Sequence, residues 1–342
     1  MIRFIGLYCL FFMITIQSCF ALEVKRIGYL LDTIESDYRN EVDYKKISNN
    51  LFKEINTFDK NLRIYNSGRK AFLYKENSLI KAFNLPENNS RESWKNVLIS
   101  LIEIASDNSI KINNNYDNFE MHMVKTISRG LDKYSRTEKT SQNIKKVTYE
   151  VKDDVIVIKT FAFYKGISSD IRDIVLKNKH CSGLILDLRN NRGGDFGEAI
   201  RTSDLFLDDA LITYSIEKND MKKYFKSSKG DILEGKSIAI LVNRLTASAS
   251  EVVVGALSEQ SRAIIIGTNT YGKGALQTIH NIDDNILYIT HGFFYTPSGK
   301  KIEDVGIAPQ ICTGIDNKCN IANKNPNNDI LIGINLIKNK IG

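Results

Sequence analysis

The sequence predicts a mixed α/β protein in which a sheet-bearing core follows a helical N-terminal lobe, and three observations predict it. Apolar residues three or four apart dominate from Val24 to about Lys139. From Val147 onward, short β-rich runs alternate with helical patterns. The chain is 342 residues long, 42% apolar and 25% charged with 4 Pro and 21 Gly, which leaves room for about two domains and excludes a disordered, collagen-like or low-complexity protein. The 47 Lys and Arg outnumber the 40 Asp and Glu, but they alternate with Asn and acids and form no basic stripe, so nucleic acid is not an expected partner.

Residues 1–21 read as an export signal. Arg3 precedes an apolar stretch, Phe4 to Ile16, too short to span a bilayer comfortably, and Cys19-Phe20-Ala21 supplies a small-residue exit. Cleavage after Ala21 is the leading expectation, with lipidation of Cys19 or an uncleaved anchor as alternatives; membrane attachment is expected only in those two cases. The expected location is therefore exported and periplasmic. Three cysteines remain, Cys181, Cys312 and Cys319. Turn-forming residues between Cys312 and Cys319 could bring those two together, and their pairing stays open, whereas Cys181 opens an apolar strand and reads as a small buried thiol. No CxxC or HExxH spacing occurs and the histidines at 122, 180, 280 and 291 are dispersed, so neither metal nor cofactor is expected.

Within the lobe, Ile27-Leu30-Leu31-Ile34, Trp94 to Ile104 and Phe119 to Leu131 have helical spacing, separated by breaks at Pro86 to Ser90 and Asn113 to Asn115. Within the core, Val155 to Ile158, Leu184 to Leu186, Ile238 to Val242 and Ala263 to Ile266 read as strands; Ser168 to Leu176, Phe196 to Leu207 and Ala249 to Ser258 read as helices. The predicted organisation is a signal over 1–21, a helical lobe over 22–145, a core over 146–315 and a C-terminal tail over 316–342.

Three of these strands run into polar, small-residue segments able to carry chemistry. Gly183 to Gly194 ends in Asp187-Leu-Arg189-Asn190-Asn191-Arg192-Gly193-Gly194, whose Gly pair lets main-chain N–H groups approach a developing oxyanion; an ordinary strand-to-helix turn is the alternative. In Ile240 to Glu251, a serine at the elbow sits beside a helix N-terminus, which favours an anion; simple capping by Thr246 or Ser248, completed by Glu251, is the alternative. Gly267 to Gln277 satisfies the G-x-x-x-x-G-K part of a phosphate loop, but Gly274 stands where a magnesium-binding hydroxyl belongs and argues against an NTPase. Lys273 reads better as a general base toward Ser248, a role that requires its pKa to fall from about 10.4 to about 7, or roughly 4–5 kcal/mol. Apolar Ile264 to Ile266 and Tyr271 could supply the surroundings, and a solvated loop lysine is the alternative.

Taken together, Leu184 to Gly194, Val242 to Arg262, Gly267 to Gln277, and Tyr295-Thr-Pro-Ser-Gly299 with Gly306-Ile-Ala-Pro309 resemble the C-terminal processing peptidases, or tail-specific proteases, whose blocks read approximately LILDLRNNPGG, VNxGSASASE, TFGKGxVQ and YTPSG…GIxP. The resemblance implies a core similar to the Clp protease and crotonase fold, hydrolysis of peptide bonds in polypeptide substrates, Ser248 as nucleophile, Lys273 as general base and Gln277 orienting the lysine. It also implies oxyanion donors at the Ala249 N–H and at one of the Gly193–Gly194 pair. Arg192 replaces the usual Pro, Thr246 the first serine and Glu259 a frequent Asp. Lys125 to Ser135 is similar to the family segment ending in SLDPHS, after which most members carry a PDZ domain; here only residues 136–146 precede the strand region, so that module is expected to be missing. An activating partner or a homo-oligomer stays open. A catalytically silent peptide-binding protein on the same scaffold is the alternative function, an acyl-CoA enzyme a remote third. His291 and Asp187 are read as structural.

Overall fold

The computed structural model describes residues 27–139 except 29, residues 147–320 except 317 and 318, and residues 328–339; the segment read as an export signal lies outside them. The chain divides into two units, the first comprising residues 1–140 with 277–290 and the second residues 141–276 with 291–342. No helix among the described residues is long and apolar enough to cross a membrane.

The first unit is built on α1 (residues 27–37), α2 (Tyr44–Phe58), α3 (Arg91–Asp107), a single turn α4 (Ile110–Asn113) and α5 (Tyr116–Leu131). Asp43 caps α2 by accepting the Lys46 N–H at 2.9 Å, and Ile47, Leu51 and Ile55 turn one face of it inward. They meet Leu31, Ile34, Leu98, Phe119, Met123 and Ile127 in a common core. Residues 62–84, which fall inside the span expected to be helical, instead form an antiparallel sheet of β1 (Leu62–Ser67), β2 (Lys70–Lys75) and β3 (Ser78–Asn84), in that order. Leu62, Ile64, Ala71, Leu73 and Phe83 point inward with the period of two that a strand requires. The outer face carries Tyr65 stacked on Tyr74 with Phe72 beside them, so both faces are apolar or aromatic and the alternation is hidden in the sequence. A short β4 (Arg136–Lys139) pairs antiparallel with Asn285–Tyr288.

In the second unit, a six-stranded sheet is built from β5 (Thr148–Lys152), β6 (Val155–Lys159), β7 (Gly183–Asp187), β10 (Ser237–Val242), β11 (Ala263–Gly267) and β14 (Ile311–Cys312), in the spatial order β14-β11-β10-β7-β6-β5. The five strands from β6 to β14 are parallel; β5 lies antiparallel at the edge. Ile156, Ile158, Leu184, Leu186, Ile238, Ile240 and Val242 face a core shared with helices α6 (Ile167–Lys177), α7 (Phe196–Asp204) and α8 (Ala249–Glu259). Val155, Val157, Ile185, Ala239 and Leu241 face the opposite way, where α9 (Asn328–Lys338) lays Ile334 and Ile337 on them. Both faces are therefore covered, which is why these strands read as continuous apolar runs. The stretch read as a tail thus contains a helix that completes the core. Alongside, β8 (Leu211–Glu217) pairs with β9 (Lys222–Lys226) and with Gly292–Tyr295 of the long β13 (Asn285–Tyr295).

Candidate active site

The carboxyl ends of β7, β10 and β11 lie side by side, the position where open parallel sheets bind ligands. The loops leaving them are bonded to one another. Leu188 N donates to Leu241 O at 2.9 Å, and Thr246 Oγ1 donates to Leu188 O at 2.8 Å. Asn190 and Asn243 exchange hydrogen bonds at 3.0 and 2.9 Å. The fully buried Asn191 accepts on its main-chain carbonyl from Ala247 N at 3.0 Å and Ser250 Oγ at 3.1 Å. Tyr271 N donates to Thr246 O at 2.9 Å, which ties the third loop to the second.

Ser248 stands half-buried at the N-cap of α8 with φ 58° and ψ −122°, a conformation costing a non-glycine residue about 1–3 kcal/mol. Glu251, one turn on and fully buried, holds it there. Its Oε2 accepts Ser248 N and Lys273 N, both at 2.8 Å; its Oε1 accepts Gly272 N at 2.7 Å and Thr270 Oγ1 at 2.6 Å. One carboxylate oxygen therefore joins the backbones of Ser248 and Lys273, placing their main-chain nitrogens two hydrogen bonds apart. Burial pushes the Glu251 pKa above its ordinary value, while the four donors oppose that shift.

Gly193, with φ 97°, comes so close to the elbow that a Cβ would stand 2.7 Å from Ala247 O, 2.9 Å from Ser248 Cβ and 3.0 Å from Ala249 N. Only glycine fits. The Gly193 N–H is already donated to Asn191 Oδ1 at 2.9 Å. The bridge between Phe163 and Gly194 uses the Gly193 carbonyl and the Asp195 N–H, so the Gly194 N–H points away from Phe163. Of the three donors singled out in the sequence, those of Gly194 and Ala249 remain for a ligand, the latter because the first N–H groups of a helix have no carbonyl one turn behind them.

Ser248, Lys273, Ala249, Gly193 and Gly194 thus belong to the second unit. Gln277 belongs to the first, on β12 (Ala275–Ile282), where its Nε2 donates to Tyr134 O at 3.0 Å and its Oε1 accepts Arg136 Nη1 at 3.2 Å. His291 faces Glu217 at 3.5 Å. Cys181 is a buried free thiol and Cys312 is disulfide-bonded; the side chain of Cys319, the partner the sequence left open for it, lies outside the described residues. Sequence reasoning took Glu251 only as a cap and passed over Asn191. The signal was an acid in the first turn of a helix whose next residues, Val252 to Leu257, are all small or apolar, since a buried carboxylate needs several donors and so must gather backbone around itself.

The fold and site define a doubly covered parallel α/β core with a serine presented at the N-terminus of a buried helix. Residues 154–313 match the family model described as Peptidase family S41. The "Carboxy-terminal-processing protease" of Bartonella bacilliformis is 40% identical over 177 residues, which cover 49% of this chain and 41% of that protein. The "Probable CtpA-like serine protease" of Staphylococcus aureus is 35% identical over 214 residues, covering 60% of this chain and 42% of that protein. A solved lipoprotein from Streptococcus agalactiae shares the fold at 21% identity with a TM-score of 0.50, over 64% of this chain and 85% of that one. Residues 154–313 are thus similar to Peptidase family S41, and the chain is similar over part of its length to carboxy-terminal processing proteases. It spans about two-fifths of the length of these two curated relatives.

Proposed function

We propose that this chain is a serine endopeptidase in which Ser248 attacks a substrate carbonyl and Lys273, as the neutral amine, takes the hydroxyl proton and returns it to the leaving amine. The observation that carries this reading is the shared oxygen of Glu251, which joins the serine elbow to the lysine loop. The Ala249 and Gly194 N–H groups are the donors for the tetrahedral oxyanion, with the positive end of α8 behind them. Gln277 is read as orienting the lysine, on the resemblance alone. Polypeptides are the substrates, by analogy with the names of the relatives. Residues 136–147 are all that lie between Ser135 and β5, so capture of substrate is assigned to surfaces other than a PDZ module at that place. Export through residues 1–21 belongs to the same proposal; secretion of the full chain, followed by N-terminal sequencing for a new terminus at Leu22, tests it.

The direct test of the chemistry is hydrolysis of an unstructured polypeptide by the full chain. Turnover abolished by Ser248→Ala, with the fold retained, supports it. A folded chain that binds peptides without cleaving them would make this a binding protein on a peptidase scaffold.

A further inference from the structure

Apart from the Ser248 elbow, the second unit buries a charge cluster that the peptidase chemistry does not use. The Arg189 guanidinium lies between two carboxylates. Its Nε and Nη2 pair with Asp187 Oδ1 and Oδ2 at 2.8 and 2.7 Å, and its Nη1 reaches Asp329 Oδ2 at 3.1 Å. The Asp187 and Asp329 side chains are 3% and 4% exposed and that of Arg189 16%. Lys159 Nζ stands 3.8 Å from Asp187 Oδ2, so two cations face two anions. Among the described residues the other Asp329 oxygen, Oδ1, meets no donor, which leaves Arg189 as the cation that this buried acid faces.

The two acids are anchored differently. Asp187 ends β7 and accepts the Arg189 main-chain N–H at 3.0 Å, so it fixes the start of the loop locally. Asp329 lies in the first turn of α9, whose place is set independently by Ile334 and Ile337 on the sheet and by the close approach of Gly333 to Ile185. Arg189 is therefore stretched between its own strand and a distant helix. Its backbone runs directly into Asn190 and Asn191, which hold Asn243, Ala247 and Ser250 of the elbow, and then into the Gly193–Gly194 turn.

We infer that Asp329 is a positioning residue for the Gly193–Gly194 turn, acting from α9 through Arg189 to set that turn against Ala249. The inference rests on the peptidase reading, in which this turn supplies an oxyanion donor. A peptide boronate, which forms a tetrahedral adduct with a serine, reports on those donors more directly than a substrate does. In the full chain, Asp329→Asn is expected to lower kcat about tenfold with KM unchanged and to weaken boronate binding by a similar factor. Ile334→Ala, on the same helix but without the charge contact, is expected to lower thermal stability while leaving kcat and boronate affinity at the parent value, measured where both variants are fully folded. Asp329→Asn with parental kcat and boronate affinity overturns the inference alone, as does an equal loss of both in Ile334→Ala. A parent chain with no Ser248-dependent turnover overturns the peptidase reading and this inference with it.

Discussion

Replacing Glu251 perturbs the group that joins the serine elbow to the lysine loop, and the four hydrogen bonds it accepts allow the effect to be graded. Glu251→Gln keeps one carbonyl oxygen. Turned toward Ser248 N and Lys273 N, that oxygen preserves both 2.8 Å contacts, and the new NH2 group can donate to the Thr270 hydroxyl, which is able to accept. The Gly272 N–H and the Thr270 hydroxyl proton then lose their acceptor; the hydroxyl can rotate, and the buried main-chain donor left unsatisfied costs about 1–3 kcal/mol. Glu251→Ala removes the acceptor from three main-chain donors, for a cost of about 3–9 kcal/mol before local rearrangement. It also frees Ser248 to leave its left-handed conformation. A displacement of the nucleophile by about 1 Å costs on the order of 100-fold in rate. The expected order of kcat is therefore parent, then Glu251→Gln within about tenfold, then Glu251→Ala lower by about 100-fold or more. Initial rates on an unstructured polypeptide, beside circular dichroism melts, read both quantities. A folded Glu251→Ala with parental kcat would refute the reasoning, as would Glu251→Gln falling as far as Ala.

Three further outcomes follow from the same contacts. Gly193→Ala places a methyl group against the main chain at Ala247 and Ala249 and against the Ser248 Cβ, so kcat should drop at least 100-fold with little change in far-ultraviolet circular dichroism. Glu198 on α7 is almost fully buried; burial alone would raise its pKa, but Arg201 and the donors of Gly166 and Ser168 lower it from 4.5 to about 2. Because the folded-state value is depressed, this group contributes about 3 kcal/mol of stability above pH 4.5, a contribution lost as the pH falls toward 2. Urea unfolding should accordingly show Glu198→Gln weaker than the parent at pH 7 and converging with it near pH 2; a gap independent of pH would contradict that assignment. Lys273→Ala should abolish turnover while Ser248→Ala and Lys273→Ala retain parental melting temperatures within a few degrees, because neither side chain is part of the packed core.

The α/β core was legible because its strands are covered on both faces, so Ile238 to Val242 and Leu184 to Leu186 read as unbroken apolar runs bounded by polar loops. The three site segments were legible for the same reason: each begins where such a run stops. The sheet at residues 62–84 was not, since Tyr65, Phe72 and Tyr74 decorate its outer face and erase the contrast on which a period of two depends. The role of α9 was hidden too, because Asp329 acquires meaning only through Arg189, 140 residues earlier in the chain. Glu251 fell between these cases. Its S-x-x-E spacing from Ser248 gave the cap, while its hold on Thr270, Gly272 and Lys273 depends on a parallel pairing of β10 with β11 that no local pattern reports.

The most direct test of the central claim is cleavage of an unstructured polypeptide by the full chain beside Ser248→Ala and Lys273→Ala, followed from roughly pH 6 to 9, the range in which a depressed lysine titrates. Turnover that rises with pH in the parent and vanishes in both variants is the predicted result. Turnover that persists in Lys273→Ala would contradict the lysine as base, and persistence in Ser248→Ala would contradict the site itself.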